Sequence, residues 1–288
     1  MSPNWIFYHS SDFDGQLSAY LATRNLPTNS AYLIPSEYGM SIPWDLLDKV
    51  DRPPTIYMLD FSFPMSAMKR LASKSSKFIW IDHHKSTMAS AKEADFNPPG
   101  VRDIKYAACE LVWGFFRGNN MYMPTAVRLL GRYDVWDHSD PMVLPFQYFM
   151  RSIPDTGPEN KEMWASVMDW DIAYCLDRCK YGAMFLQFDK LRMKTNVCKG
   201  AFSTCMFGYR TLAINSDTRG GSQFEGHPEF AEHQLFCTFW FKKGIGWTIS
   251  LYSFRPDIDV GAIAKLQGGG GHQGAAGFVT KRLPEELQ

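Results

Sequence analysis

The chain has 288 residues, 45% of them hydrophobic and 21% charged, and its 30 basic side chains are balanced by 30 acidic ones. That is enough apolar material to pack two domains of ordinary size or one large one, and it excludes an intrinsically disordered chain. Zero formal net charge argues against a protein that coats long duplexes, which needs a broad basic face. It leaves room for a small phosphorylated substrate whose charge is met locally by cations.

In chain order, Trp5 to Tyr8 reads as a short buried strand that ends in His9-Ser-Ser-Asp12-Phe-Asp14-Gly15. Gln16 to Asn25 is predicted as a helix with Leu17, Tyr20 and Leu21 on one face. Thr55 to Leu59 is a second strand and runs straight into Asp60, after which Pro64 suits the first turn of a helix reaching about Ala72. Lys77 to Ile81 is a third strand and runs into Asp82-His83-His84. Alternating strands and helices imply an α/β fold built on a parallel sheet with helices on both faces. Sites in open sheets of this kind form beyond the carboxyl ends of the strands. His9, Asp12, Asp14, Asp60 and His83 are therefore expected on one rim.

Helical patterns cover about Tyr106 to Arg117 and Thr125 to Tyr133, the second delivering Asp134 and Asp137. Residues 154–158 read as a loop, and helix resumes from about Glu159 to Thr195. Phe207 to Ile214, Gln234 to Phe241 and Trp247 to Phe254 look like strands, and Asp259 to Leu266 like a short helix. The run Gly268-Gly269-Gly270-Gly271-His272 follows, with Ala275-Ala-Gly277 and an apolar exit at Phe278 and Val279. A flexible linker would not be bracketed by a helix and a strand, so the run is read as a tight backbone turn whose N–H groups and imidazole approach a phosphate. The expected organisation is a catalytic domain over 1–153, a helical connector over 154–196 and a smaller α/β domain over 197–288.

Aromatic residues make up 15% of the chain, which serves packing first and leaves some rings for stacking on bases. The six cysteines, Cys109, Cys175, Cys179, Cys198, Cys205 and Cys237, form no CxxC pair and read as free thiols of a reducing compartment. Cys175 and Cys179 lie at helical spacing, but no further ligands nearby would complete a zinc site. The first eight residues are too short and polar for a signal peptide, and no run approaches a membrane span, so a soluble cytoplasmic protein is expected.

Asp12, Asp14, Asp60, Asp82 and Asp134 would crowd five carboxylates onto one rim, where like charges disfavour joint ionisation. Two divalent cations resolve that conflict. A shell of histidine and carboxylate suits Mn²⁺, and also Mg²⁺ or Fe²⁺. Two such ions about 3.5–4 Å apart can activate a bridging water and clamp a phosphoryl oxygen. Each motif has a plainer reading alone: an Asp-x-Asp turn, a helix cap at Pro64, a pair of core histidines, a helix-terminal acid. The ordered combination is more specific than any part.

These motifs resemble the DHH phosphoesterase family, in its subgroup with a C-terminal DHHA1 domain. The resemblance rests on His9 to Gly15, on Asp60, on Asp82-His83-His84, on Asp134, and on Gly268 to His272 with Ala275 to Gly277. It implies that His9 and Asp12 bind one ion, that Asp14, His83 and Asp134 bind the other, and that Asp60 bridges them. Asp82 would orient the histidines, His84 would contact the scissile phosphate, and Gly269, Gly270, Gly271 and His272 would hold another phosphate or the terminal nucleotide. Two departures stand out. Many relatives place three residues between the first His and the first Asp, where this chain has two. The fourth motif often reads Asp-Thr, where this chain has Asp134-Val-Trp, so Asp137 stays open as a substitute.

Relatives with this layout often hydrolyse short oligonucleotides or linear dinucleotides to nucleoside 5′-monophosphates, like the nanoRNases, through hydroxide activated by two metals. That implies a short single-stranded substrate, with no long duplex and no membrane as partner, and leaves a homodimer open. Arg255 is a candidate clamp on phosphate or base. A cyclic-dinucleotide phosphodiesterase, a pyrophosphatase or polyphosphatase, and a non-catalytic module that binds nucleic-acid ends remain as alternatives.

Overall fold

The computed structural model describes residues 3–118, 122–217 and 230–288, apart from the side chains of Val197 and Cys198. The chain divides into two compact units, 1–185 and 186–288. Of the six cysteines, Cys198 lies outside the described side chains, and the other five are free thiols.

The first unit is built on four strands: β1 (Asn4–His9), β2 (Ala31–Ser36), β3 (Thr55–Leu59) and β4 (Lys77–Ile81). They form a parallel sheet in the order β2-β1-β3-β4. Helices follow the strands in sequence: α1 (Phe13–Asn25), α2 (Trp44–Leu47), α3 (Met65–Ser73), α4 (Lys85–Glu93), α5 (Ala108–Arg117), α6 (Thr125–Asp134), α7 (Val143–Met150) and α8 (Lys161–Asp169). The long α9 (Ile172–Gly200) comes next. Residues 154–196, expected to connect two domains, comprise α8 and most of α9.

Successive residues of a strand point to opposite faces, and here both faces are covered. Ile6, Tyr8, Leu59 and Ile81 pack with Leu17 and Leu21 of α1, Val112 of α5 and Trp164 of α8. Trp5, Phe7, Met58 and Trp80 pack on the other side with Met68 and Leu71 of α3 and Ala91 of α4. Burial on both faces is why β1, β3 and β4 read as continuous apolar runs rather than as alternating ones. β2 escaped the sequence reading because it is an edge strand, largely half-exposed, and carries Pro35, which only an edge tolerates. α7 escaped it because Pro145 stands in its first turn, where no intrahelical N–H bond is lost.

Helix starts differ from the predicted ones at two informative places. α1 begins at Phe13, because Asp12 caps it by accepting the Gly15 N–H at 3.0 Å. Pro64 stands at the cap of α3 rather than inside its first turn.

The second unit holds a six-stranded sheet in the order β5-β6-β7-β8-β10-β9. Its strands are β5 (Phe202–Met206), β6 (Tyr209–Asn215), β7 (Leu235–Lys242), β8 (Gly246–Tyr252), β9 (Gly270–Gly271) and β10 (Ala275–Thr280). The β6–β7 pair is parallel and the other pairs are antiparallel. The single strand expected over Phe207 to Ile214 is the second half of a hairpin. Phe207 and Gly208 turn the chain with φ of +54° and +82°, a tight reversal that the bulky Phe207 disguises. α10 (Val260–Leu266) covers one face with Val260 and Ala264, and Met193 of α9 packs on the other beside Leu212 and Phe236. The glycine run is packed chain. A Cβ on Gly269 would come within 2.1 Å of the Gly277 carbonyl oxygen. No helix among the described residues is long and apolar enough to cross a membrane.

Candidate metal centre

Three neighbouring strands deliver the site. β1 ends in His9, and the chain turns at once into α1, whose first turn lies against the end of the strand. Gly15 makes that approach possible, since a Cβ there would come within 2.0 Å of the His9 carbonyl oxygen. The turn brings Asp12 back onto His9, with Nδ1 and Oδ2 2.7 Å apart. Asp14 points inward instead and is buried. Its Oδ2 accepts the Ala108 N–H at 2.8 Å and its Oδ1 the Cys109 N–H at 2.6 Å, at the N-terminus of α5. Backbone donors and helix dipole both favour a carboxylate there.

β3 delivers Asp60 in a left-handed conformation, φ +54°, which Asp tolerates better than most residues. Its N–H still bonds the Ile81 carbonyl at 3.0 Å, so the bend turns the side chain without breaking the sheet. The carboxylate then faces three imidazoles: His9 Nδ1 at 3.7 Å, His83 Nε2 at 3.2 Å and His84 Nδ1 at 3.8 Å. Asp60 Oδ1 is buried and, despite the nearby His83, has no donor aligned for a hydrogen bond among the described residues.

β4 delivers Asp82-His83-His84, and the three residues do different work. The Asp82 carboxylate is fully buried and saturated with donors. Oδ1 accepts the His83 N–H at 2.8 Å and meets His84 Nδ1 at 2.7 Å, while Oδ2 accepts from Trp80 Nε1 at 3.2 Å and Thr87 Oγ1 at 2.9 Å. His83 Nε2 is where the acids converge: Asp60 Oδ1 at 3.2 Å, Asp134 Oδ2 at 3.1 Å and Asp14 Oδ2 at 3.5 Å. Asp134, the last residue of α6, is thus the acid that meets His83. Asp137 is engaged elsewhere, bonded to Arg132 Nε at 2.8 Å and to Ser139 Oγ at 2.6 Å.

The electrostatics follow from this crowding. Burial opposes a charge on His9, but Asp12 and Asp60 outweigh it and raise its pKa well above the ordinary value. His83 is likewise opposed by burial and is pushed up to about 12 by Asp134, Asp60 and Asp14. Asp60 is held below the carboxylate range in spite of burial, by His83, His9 and His84. Asp14 goes the other way, raised by burial and by Asp60 and Asp134. Charge on the His9 and His83 imidazoles therefore offsets part of the mutual repulsion of the acids.

Within the first unit, three groups of described residues have the compactness a cation needs: His9 with Asp12 and Asp60, Asp14 with Asp60 and His83, and Asp60 with Asp82 and His84. Asp60 belongs to all three, and in the third the Asp82 oxygens are already taken by donors. The donor set is oxygen and imidazole, with an unsatisfied buried oxygen on Asp60, and Cys109 turns its thiol to the Val127 carbonyl at 3.8 Å. Such a set fits Mn²⁺, Mg²⁺ or Fe²⁺ and disfavours soft metals.

Aromatic rings wall the His9 side, a feature the sequence reading missed. Phe61 stacks on His9 with centroids 6.0 Å apart, and Tyr38 meets His9 edge-on at 6.0 Å and Phe61 at 5.2 Å. Burial and the charges of Asp82, Asp60 and Asp12 keep the Tyr38 phenol above its ordinary pKa. Position after β2 was the available signal, and it was lost with β2.

The remaining predicted residues lie in the second unit. Arg255 is exposed and pairs with Asp257 through two contacts of 3.1 and 3.0 Å. Gly270 and Gly271 form β9, paired with Gly277 and Ala276, and the His272 N–H bonds the Ala275 carbonyl at 2.8 Å.

No protein-family model matches the chain. An uncharacterized protein of Acanthamoeba polyphaga mimivirus is 22% identical over 244 residues, which cover 82% of this chain and 55% of that protein. The chain thus spans about half the length of this curated relative. Among solved structures, the DHH domain of a member of the s1p family of ribosomal proteins is similar, with a TM-score of 0.57 and 14% identity over 96% of this chain and 82% of that one. A pGpG-specific phosphodiesterase from Vibrio matches at a TM-score of 0.49 and 13% identity, over 96% and 92% of the two chains. RecJ from Thermus thermophilus, in complex with Mn²⁺, matches at 0.48 and 14%, over 96% and 49%. The fold is that of DHH-type proteins, a parallel-stranded α/β unit with a second sheet and helices.

Proposed function

We propose that the chain is a metal-dependent phosphoesterase that hydrolyses short oligonucleotides, linear dinucleotides included, to nucleoside 5′-monophosphates. One observation carries the reading: Asp60 stands between two compact ligand groups at the rim of a DHH-type sheet. In this reading His9 and Asp12 hold one divalent cation, Asp14, His83 and Asp134 hold the other, and Asp60 is shared. Mn²⁺ fits the donors best, with Mg²⁺ or Fe²⁺ as alternatives. Bound cations would supply an acidified water and neutralise charge on the phosphoryl oxygens.

The chain's own groups prepare the rest. Asp82 fixes His84 through Nδ1, and this reading gives the imidazole the role of contacting the scissile phosphate. Asp14 ties the centre to α5, so the ligands sit on rigid elements. His272, carried by the turn that follows Gly269, Gly270 and Gly271, is proposed to hold a further phosphate; the Gly269 N–H is itself given to the Ala264 carbonyl at 2.9 Å, so the glycines shape the turn rather than cradle the anion with that amide. Arg255 joins His272 as a clamp, exchanging Asp257 for the substrate.

The test is hydrolysis by purified protein with Mn²⁺ of a dinucleotide, a pentameric RNA, a long single strand, matched DNA, cyclic di-AMP and pyrophosphate, each beside an Asp60→Ala control. Rapid release of 5′-monophosphates from the two shortest RNAs, with slow attack on the long strand, is expected. Preference for cyclic di-AMP or pyrophosphate would replace the substrate assignment. Turnover that survives Asp60→Ala would overturn the metal assignment.

A further inference from the structure

The loop after β2 is fastened to the first motif. β2 lies beside β1 in parallel register, Ser36 opposite His9, so both strands exit at the same rim. The Ser10 N–H bonds the Ser36 carbonyl at 3.2 Å, and Ser10 Oγ bonds Glu37 Oε1 at 3.3 Å. The Met40 N–H returns to the Glu37 carbonyl at 3.0 Å, closing a tight turn in which Gly39 has φ +90°. This turn holds the Tyr38 ring over His9 and Phe61. The ring is half-buried, and its hydroxyl makes no hydrogen bond among the described residues. It is close enough to Asp82, Asp60 and Asp12 to feel their charges.

A tyrosine brought this far inside usually has a partner for its O–H. At neutral pH a phenol is protonated and offers a donor. Acceptors at this rim are the cluster's carboxylates, which cations would engage, and whatever oxygen a ligand brings. We propose that Tyr38 is a substrate-binding residue whose hydroxyl donates a hydrogen bond to a non-bridging oxygen of the phosphate held at the metal centre, an inference that rests on the phosphoesterase reading above. The Ser10–Glu37 bond and the turn at Gly39 are its support. They fix the phenol before substrate arrives, so that its ordering is not charged against binding.

Tyr38→Phe keeps the ring and removes only the hydroxyl. Three quantities are measured on wild type and variant: the Mn²⁺ dissociation constant by calorimetry, the dissociation constant of inorganic phosphate with Mn²⁺ present, and kcat/KM on a dinucleotide. The expected result is an unchanged Mn²⁺ constant, phosphate binding weaker by about tenfold, and a similar fall in kcat/KM. Unchanged phosphate binding overturns the inference, and so does a loss of Mn²⁺ affinity large enough to account for the weaker phosphate. If the wild type cleaves nothing in the panel but Tyr38→Phe still weakens Mn²⁺-dependent phosphate binding, the phosphoesterase reading falls and the Tyr38 contact stands. If cleavage is robust and the variant matches wild type, the reverse holds. Tyr38→Leu separates the ring from the hydroxyl: a defect seen in Tyr38→Leu and absent in Tyr38→Phe assigns the residue to packing around His9 and overturns the proposal.

Discussion

Asp82 and His84 are joined twice, through Oδ1 to the imidazole Nδ1 at 2.7 Å and through the same oxygen to the His84 backbone N–H at 3.2 Å. Every oxygen lone pair of this fully buried carboxylate faces a donor. Asp82→Asn would turn an NH₂ group onto one set of donors and leave them unsatisfied. We expect a stability loss of about 2–4 kcal/mol, read from urea unfolding of the chelated protein. Turnover should fall further than folding explains, because His84 loses its orientation.

Gly15→Ala tests the close approach of α1 to β1. The added methyl meets backbone at 2.0 Å and has no flexible side chain to displace. Either the helix start or the His9 carbonyl must move. A loss of about 1–3 kcal/mol is expected. Mn²⁺ affinity should fall with it, because His9 and Asp12 flank the contact, and an unchanged affinity would dissociate the turn from the metal site.

Asp60 separates backbone from side-chain effects. Its left-handed φ makes Asp60→Gly more stable than Asp60→Ala by about 1 kcal/mol, a difference measurable in chelated protein. Both variants should be inactive, since neither supplies the shared carboxylate. Equal stability would mean that the left-handed bend carries no cost at this position.

Asp134 and Asp137 should part company. Asp134→Ala removes a carboxylate 3.1 Å from His83 and should weaken Mn²⁺ binding by at least tenfold. Asp137→Ala removes an ion pair with Arg132 at the surface and should leave Mn²⁺ binding unchanged. Calorimetric titration of the two variants decides which acid belongs to the fourth motif.

Cation uptake should expel protons. His9 and His83 are held protonated above their ordinary value in the cation-free cluster, and a metal ligand must be a neutral imidazole. Falling pH therefore favours the proton and weakens the metal, and rising pH does the opposite. Between pH 6 and 8 the apparent Mn²⁺ association constant should rise by about tenfold per pH unit for each proton displaced. Titration in two buffers of different ionisation enthalpy counts those protons. A pH-independent constant would mean that the histidines bind no metal.

The strand-end residues were legible because β1, β3 and β4 are apolar on both faces, so each apolar run stops abruptly at His9, Asp60 or Asp82. The sheet's parallel order then places those ends together. Nothing in that pattern reveals β2, whose edge position gives it a mixed composition, and Tyr38 was lost with it. Asp134 and Asp137 were indistinguishable as letters, since both flank Val135 and Trp136. Their difference lies in the helix end and in Arg132 claiming Asp137. Nor could spacing show that Asp14 would find the first turn of α5, a contact between residues 94 and 95 positions apart.

That contact makes α5 a listener. The amides of Ala108 and Cys109 end on the oxygens of Asp14, an acid whose pKa is driven upward by burial and by Asp60 and Asp134. A proton on Asp14 takes a lone pair from those amides, and a cation in its place restores the full carboxylate. The protection of two backbone amides against solvent exchange therefore rises and falls with events at a carboxylate on another helix. An observer with no substrate in hand could follow the occupancy of the centre from the tightness of a single helical turn.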